Sequence, residues 1–200
     1  MYFKVSKKEF YNALSVAARA ISTFSPLPAF SGVKIEATMD CLILTGSDSD
    51  ISIQTKLKKS EHCVLEIHDM GSIVIEAKYI LEIVRKIDAD EIEFEMLDGS
   101  LTKISGNTAE FRINGMRASE YPAIDFSKPN ECFNVSEDIL KKIILQTSFA
   151  TSDKETRPVL TGVNFQCKEH QLHCVATDSY RLAKKTVEIE ESLNFNITIP

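Results

Sequence analysis

FKVS at residues 3–6 and FNVS at residues 133–136 decide how this chain is read, because the offset between them (133 − 3 = 130) persists far beyond those four positions. With no gap it aligns Pro28 with Pro158, Gly32-Val33 with Gly162-Val163, Leu42 with Leu172, and Asp48-Ser49 with Asp178-Ser179. Matches spread through some fifty positions in one register mark an internal repeat, and a repeat sets the architecture before any single element is assigned.

Each copy carries a smaller echo of itself. YFKV, SKKEFYNALSVAARAIS, VKIEA, CLILTG and ISIQTKL run strand, helix, strand, strand, strand; SIVIE, AKYILEIVRKI, EIEFEML, LTKISG and AEFRING run in the same order. The fold class expected is therefore α+β, built of repeated β-α-β-β-β units, with amphipathic helices on one face of antiparallel sheets. A whole module needs roughly 120 residues, a common domain size. That predicts a first domain over 1–128 and an incomplete second domain over 129–200, holding its first half.

The helical segments separate apolar from charged residues at 3–4 spacing. In the first, Phe10, Leu14, Ala17 and Ile21 form the inward stripe behind a Ser6 cap, and Lys8, Asn12, Ser15 and Arg19 face out. In the second, Ile80, Ile83, Val84 and Ile87 point inward, with Lys78, Glu82 and Arg85 outward. In the third, Ser136 repeats the cap, Ile139, Leu140, Ile143 and Ile144 face the core, and Lys141 and Lys142 face out. The formal net charge is −6, which taken alone disfavours a nucleic-acid partner. Yet cations gather on outward helix faces while acids fall on strands and loops, so single faces can be basic within an acidic chain. Apolar runs are too short to cross a bilayer, and MYFKVSKKEF lacks the core of a signal peptide. Five cysteines without a CxxC pair fit a reducing, cytoplasmic setting.

VATDSYRLA at 175–183 allows two readings: an acid and a base at a strand end, or a presented docking surface. Together with RPVLTGVNF, LTGSDSDISI and INGMRASEYPAID, this string resembles the β sliding clamps of bacterial DNA polymerase III over the whole chain. The resemblance implies a head-to-tail homodimer ring of three-domain chains, of which the third domain is absent here. It implies helices around a central hole and double-stranded DNA held without sequence preference through phosphate contacts. The DNA-facing positions it implies are Lys8, Arg19, Lys78, Arg85, Lys141, Lys142 and Lys154. The expected function is a processivity factor, without catalytic residue, metal or cofactor, that tethers the polymerase III catalytic subunit. The clamp loader and other clamp-motif proteins dock a short peptide on the same surface. Carried over residue by residue, that surface comprises Arg157, Leu160, Thr177, Ser179, Tyr180, Arg181 and Leu182. The chain departs from the family at Ser179 and Tyr180, where Gly and His are common, and near Phe24, where an Arg is common.

Rival chemistry is weaker. Cys167, His170, His173 and Cys174 crowd into CKEHQLHC, but a hairpin there splits them between two faces. SDSD at 47–50 pairs carboxylates without a Gly-rich phosphate loop, and no GxSxG nucleophile motif occurs. The serious alternative is a non-enzymatic α+β protein-interaction module that binds no DNA.

Overall fold

The computed structural model describes residues 1–22, 27–127, 134–154 and 156–200. Phe24, Phe133 and the expected boundary at 128/129 lie outside the described residues. The chain divides into two units, Met1–Asp125 and Phe126–Pro200.

In the first unit, β1 (Tyr2–Ser6), α1 (Lys7–Ala17), β2 (Gly32–Ala37), β3 (Cys41–Ser47), β4 (Ser52–Lys58) and β5 (Leu65–Asp69) form one half. The same order recurs in β6 (Gly71–Glu76), α2 (Ala77–Lys86), β7 (Glu91–Asp98), β8 (Leu101–Gly106), β9 (Ala109–Asn114) and β10 (Met116–Arg117). The halves interlock. One sheet runs β5-β1-β7-β8-β9 and the other β10-β6-β2-β3-β4, so each joins two strands of one half to three of the other. The pairings are antiparallel. The sequence reading found β1–β4 and β6–β9 and missed β5 and β10, which are short strands at the sheet edges.

Alternation places Phe3 and Val5 of β1 inward, and the 3–4 spacing of α1 buries Phe10, Ala13, Leu14 and Ala17. Phe3 stacks on Phe94 of β7 with ring centroids 4.8 Å apart, and Phe10 meets them edge-on at 5.8 and 6.4 Å. These three fully buried rings join both halves in one core. α2 adds Ala77, Ile80 and Val84. A Cβ at Gly46 would lie 2.1 Å from the Ala17 carbonyl oxygen, so glycine lets the end of α1 seat on β3.

Two details of α1 differ from expectation. The helix ends at Ala17 and tightens into a 3₁₀ turn at Ala18–Ala20, leaving Ile21 half-buried. Ser6 stands at the N-cap, but its Oγ accepts from the Val64 N–H at 2.8 Å, a contact 58 residues away, and does not cap the helix.

The second unit contains α3 (Glu137–Thr147), 3₁₀ turns at Ser148–Ala150 and Pro158–Leu160, β11 (Val163–Thr177) and β12 (Leu182–Ile199). Here the expected cap forms: Ser136 Oγ accepts from Ile139 N–H at 3.4 Å. Under the 130 offset, Thr177 pairs with Leu182 as Ser47 pairs with Ser52. Val163 pairs with Ile199 as Val33 pairs with Ile75, though these partners are offset by 124 (199 − 75). Between these ladders Glu169 takes φ 57 and the register jumps from Glu169↔Leu193 to Gln171↔Glu188. Leu140 and Ile144, expected inward, are 41% and 48% exposed. Their repeat counterparts Phe10 and Leu14 are fully buried, because in the first unit a second half covers them. In this unit Ile143 alone of α3's aliphatic residues is fully buried.

The repeat extends to one turn. After β3, Asp48 Oδ1 accepts from Asp50 N–H at 3.0 Å and Ile51 N–H at 2.8 Å, with Ser49 at φ 89. After β11, Asp178 Oδ1 accepts from Tyr180 and Arg181 N–H, both at 2.9 Å, with Ser179 at φ 77. Both are Asx turns through a left-handed serine, so the shared aspartate is a backbone brace. The Arg181 and Tyr180 N–H groups hold the Asp178 carboxyl below its usual range.

Phe10→Ala should cost about 3–5 kcal/mol in urea unfolding, as expected for a buried aromatic, whereas Leu140→Ala at the repeat position should cost less than about 1 kcal/mol. Ser179→Gly should leave the second unit as stable or up to about 1 kcal/mol more stable, since glycine escapes the left-handed penalty of about 1–2 kcal/mol but loses more chain entropy. A clear loss of stability in Ser179→Gly would contradict the turn assignment. Because the folded-state pKa of Asp178 is depressed, its contribution is present above the unfolded carboxyl pKa and is lost as pH falls through the folded value; Asp178→Asn should flatten that acid limb in pH-resolved unfolding.

Candidate functional site

The Asp178 turn spends its acid on its own geometry. Oδ1 takes two backbone N–H groups, and Oδ2 accepts from Arg181 Nε at 2.9 Å. Thr177 Oγ1 donates to the Arg181 carbonyl at 2.7 Å and accepts from Ser179 N–H at 3.2 Å. Both oxygens of this acid are engaged within the turn, so its observed work is to brace the backbone and to hold Arg181. The turn also presents side chains. Tyr180 is 97% exposed, Leu182 67% exposed, and Arg181 reaches out between them. Exposed apolar groups on a braced backbone suit docking, because little ordering entropy remains to be lost on binding.

Two further segments join the turn. The ring of Phe149 lies 5.9 Å from the Arg181 guanidinium. Three residues on, Ser152 N–H donates to the Leu160 carbonyl at 2.8 Å, and Leu160 N–H donates to the Arg157 carbonyl at 2.9 Å. Thr177, Ser179, Tyr180, Arg181 and Leu182 thus share one turn, and Arg157 and Leu160 are tied to the segment carrying Phe149. Arg157 is exposed and Leu160 half-buried. Sequence reasoning missed Phe149, 58% exposed, and Val159, 66% exposed. A signal existed for Phe149: the 130 offset puts Arg19 at its counterpart, so an exposed aromatic there breaks the repeat. At the counterparts of Val159 and Leu160, Ala29 and Phe30 are buried, with Phe30 edge-on to Tyr121 at 5.2 Å.

The expected DNA-facing cations are all exposed. Lys7 Nζ donates to the Ile87 carbonyl, which sets the start of α1 beside the end of α2. Lys8 and Arg85 consequently line one cleft with Tyr11, Asn12 and Asn107, and Asp88 and Asp90 on its rim moderate the charge. Arg85 is also bridged to Glu82 at 2.6 Å, so it is less free than the sequence implied. Lys78 Nζ lies 5.9 Å from the Tyr79 ring. Arg19 is the middle residue of the 3₁₀ turn after α1, Lys141 and Lys142 lie on α3, and Lys154 sits in the loop after it.

The CKEHQLHC side chains diverge. Cys167 and Cys174 are fully buried, and burial pushes the Cys174 thiol up to about 11, so it stays protonated. His170 is exposed, and His173 Nδ1 lies 2.9 Å from Thr186 Oγ1. In SDSD, Asp48 braces its turn while Ser47 and Ser52 share a 2.9 Å hydroxyl contact. Among the described residues no three His, Cys, Asp or Glu side chains converge as a metal site, and no described helix is long and apolar enough to cross a membrane.

Residues 1–125 match the family model for the N-terminal domain of the DNA polymerase III beta subunit, and residues 134–200 match that for its central domain. The beta sliding clamp of Halalkalibacterium halodurans is 40% identical over 206 residues, and that of Bacillus subtilis 39% over 204. Each match covers 100% of this chain and 54% of the relative, so the chain spans about half the length of the curated relatives it matches. The crystal structure of the Bacillus subtilis DNA polymerase sliding clamp superimposes with a TM-score of 0.96 at 36% identity. The DNA polymerase III beta chain of Streptococcus pneumoniae gives 0.94 at 34%, and both cover 100% of this chain and 54% of theirs. With both units matched in order and in fold, the chain belongs to the β-subunit family of bacterial DNA polymerase III, the β sliding clamps.

Proposed function

We propose that this chain forms the first domain (1–128) and the first half of the second domain (129–200) of a ring-forming processivity factor, a non-catalytic subunit that tethers DNA polymerase III to duplex DNA. The observation that carries the docking half of this reading is the Asp178 turn, whose acid is consumed by the backbone while Tyr180, Arg181 and Leu182 are presented to solvent. Clamp-binding peptides of the polymerase catalytic subunit, the clamp loader and other partners dock there. Leu160 and Leu182 supply apolar contact, Tyr180 an amphipathic wall, and Arg157 and Arg181 donors to peptide oxygens. The exposed cations Lys8, Arg19, Lys78, Arg85, Lys141, Lys142 and Lys154 meet phosphates. Such contacts carry no sequence information and exchange quickly, which suits a sleeve that must slide. A ring converts each partner's binding into a high local concentration at the template, so modest affinity suffices. The cytoplasm is its place of work.

A fluorescent clamp-motif peptide titrated onto the complete clamp should bind at micromolar strength. Arg181→Ala or Leu182→Ala should weaken it roughly tenfold, about 1.4 kcal/mol; unchanged affinity in both variants would sink the docking assignment. Reversing Lys8 and Arg85 to Glu should shorten the residence of the loaded ring on nicked circular DNA and reduce the salt dependence of its loss. Full peptide binding with residence indifferent to those charges would favour an interaction module that holds no DNA.

A further inference from the structure

We propose that Phe149 is a positioning residue of the docking surface, acting through Arg181: its ring and the Asp178 carboxylate together hold the guanidinium aimed at a partner's oxygen. This inference rests on the docking reading above.

The geometry has three parts. Asp178 Oδ2 takes Arg181 Nε at 2.9 Å, fixing one edge of the guanidinium. The Phe149 ring lies 5.9 Å from the guanidinium carbon, the range of a cation–aromatic contact. Phe149 is itself held from beneath. Its neighbours Thr147 and Ala150 are fully buried, Thr147 Oγ1 donates to the Ile143 carbonyl at 2.7 Å, and Thr151 N–H donates to the Ser148 carbonyl at 3.1 Å. A large aromatic kept 58% exposed on so fixed a backbone is displayed by the fold. With Nε committed and one side of the plane near a ring, the terminal nitrogens of Arg181 keep their donors for a carboxylate or carbonyl beside Leu182 and Tyr180.

The internal repeat supplies the control. The first unit builds the same Asx turn around Asp48, with Ser49 also left-handed. There the counterpart of Arg181 is Ile51, and the counterpart of Phe149 is Arg19. The turn therefore needs neither a cation at the fourth position nor an aromatic after the helix. Phe149 and Arg181 occur together in the unit that carries the docking surface, and they add to the turn something its own folding does not require.

The test is a double-mutant cycle on the complete clamp with a fluorescent clamp-motif peptide. Phe149→Leu should lower affinity roughly threefold, the size of an exposed cation–aromatic contact. In the Arg181→Ala background the same change should have no further effect. Phe149→Tyr, which keeps the ring face, should restore binding. In the free protein, Phe149→Leu should speed exchange of the Arg181 Nε–H proton seen by NMR while leaving the urea midpoint in place. An equal loss in both backgrounds would mean that the ring meets the peptide directly and would overturn the positioning role. If Arg181→Ala weakens binding but Phe149→Leu does nothing, the inference fails and the docking reading stands. If Arg181→Ala itself has no effect, the docking reading fails and takes this inference with it.

Discussion

Phe3 of β1 stacks on Phe94 of β7, and most of the first unit depends on that contact across 91 residues (94 − 3). β1 is the opening strand of one half, yet its sheet neighbours are β5 and β7, and β7 belongs to the other half. The exchange is reciprocal, since β6 opens the second half and lies against β2 of the first. Each half thus closes a sheet it does not own. Phe10 from α1 edges onto both rings, so helix, sheet and the two halves share one apolar centre. Burying each such ring is worth about 1.5–3 kcal/mol. The larger effect is on specificity, because no half buries its stripe alone.

Much of this was legible in the chain. The 3–4 spacing of Phe10, Leu14 and Ala17 and the alternation of EIEFEML produced the elements they predict. The 130 offset aligned Asp48 with Asp178, and the two turns match because an Asx turn is written in one or two residues. What escaped depends on distant partners. Ser6 has the right type and place for a cap, but the Val64 N–H takes its hydroxyl. Leu140 and Ile144 lie on the expected stripe and remain exposed, because a stripe states a need for cover without saying whether cover is present. β5 and β10 are defined by the strands beside them and have little pattern of their own.

The site divides along the same line. The resemblance singled out Tyr180, Arg181 and Leu182 within VATDSYRLA, and the structure exposes all three side chains. Their roles needed coordinates: in sequence Asp178 is an acid next to a base, and in space it is a brace whose oxygens are taken. Ser179 shows a related point. This chain holds Ser at φ 77 in a turn whose backbone Asp178 braces through two hydrogen bonds. Charge behaves similarly. A net −6 hides a cleft where Lys8 and Arg85 meet, because net charge sums over faces that a folded protein keeps apart.

The exchange of opening strands also governs the order of assembly. A chain emerging from the ribosome at about 5–20 residues per second presents β1, α1 and β2–β4 well before β7 exists. Through that interval Phe3 and Phe10 lack their third ring, and β1 has no neighbour until β5 and then β7 arrive. Before then closure is limited to contacts within the first half, the β2-β3-β4 meander with α1 seated on it and the β1–β5 pair, and the core waits for residue 94 to complete its ring cluster. Swapped strands that lock the native state thereby lengthen the time its apolar surface stays open during synthesis.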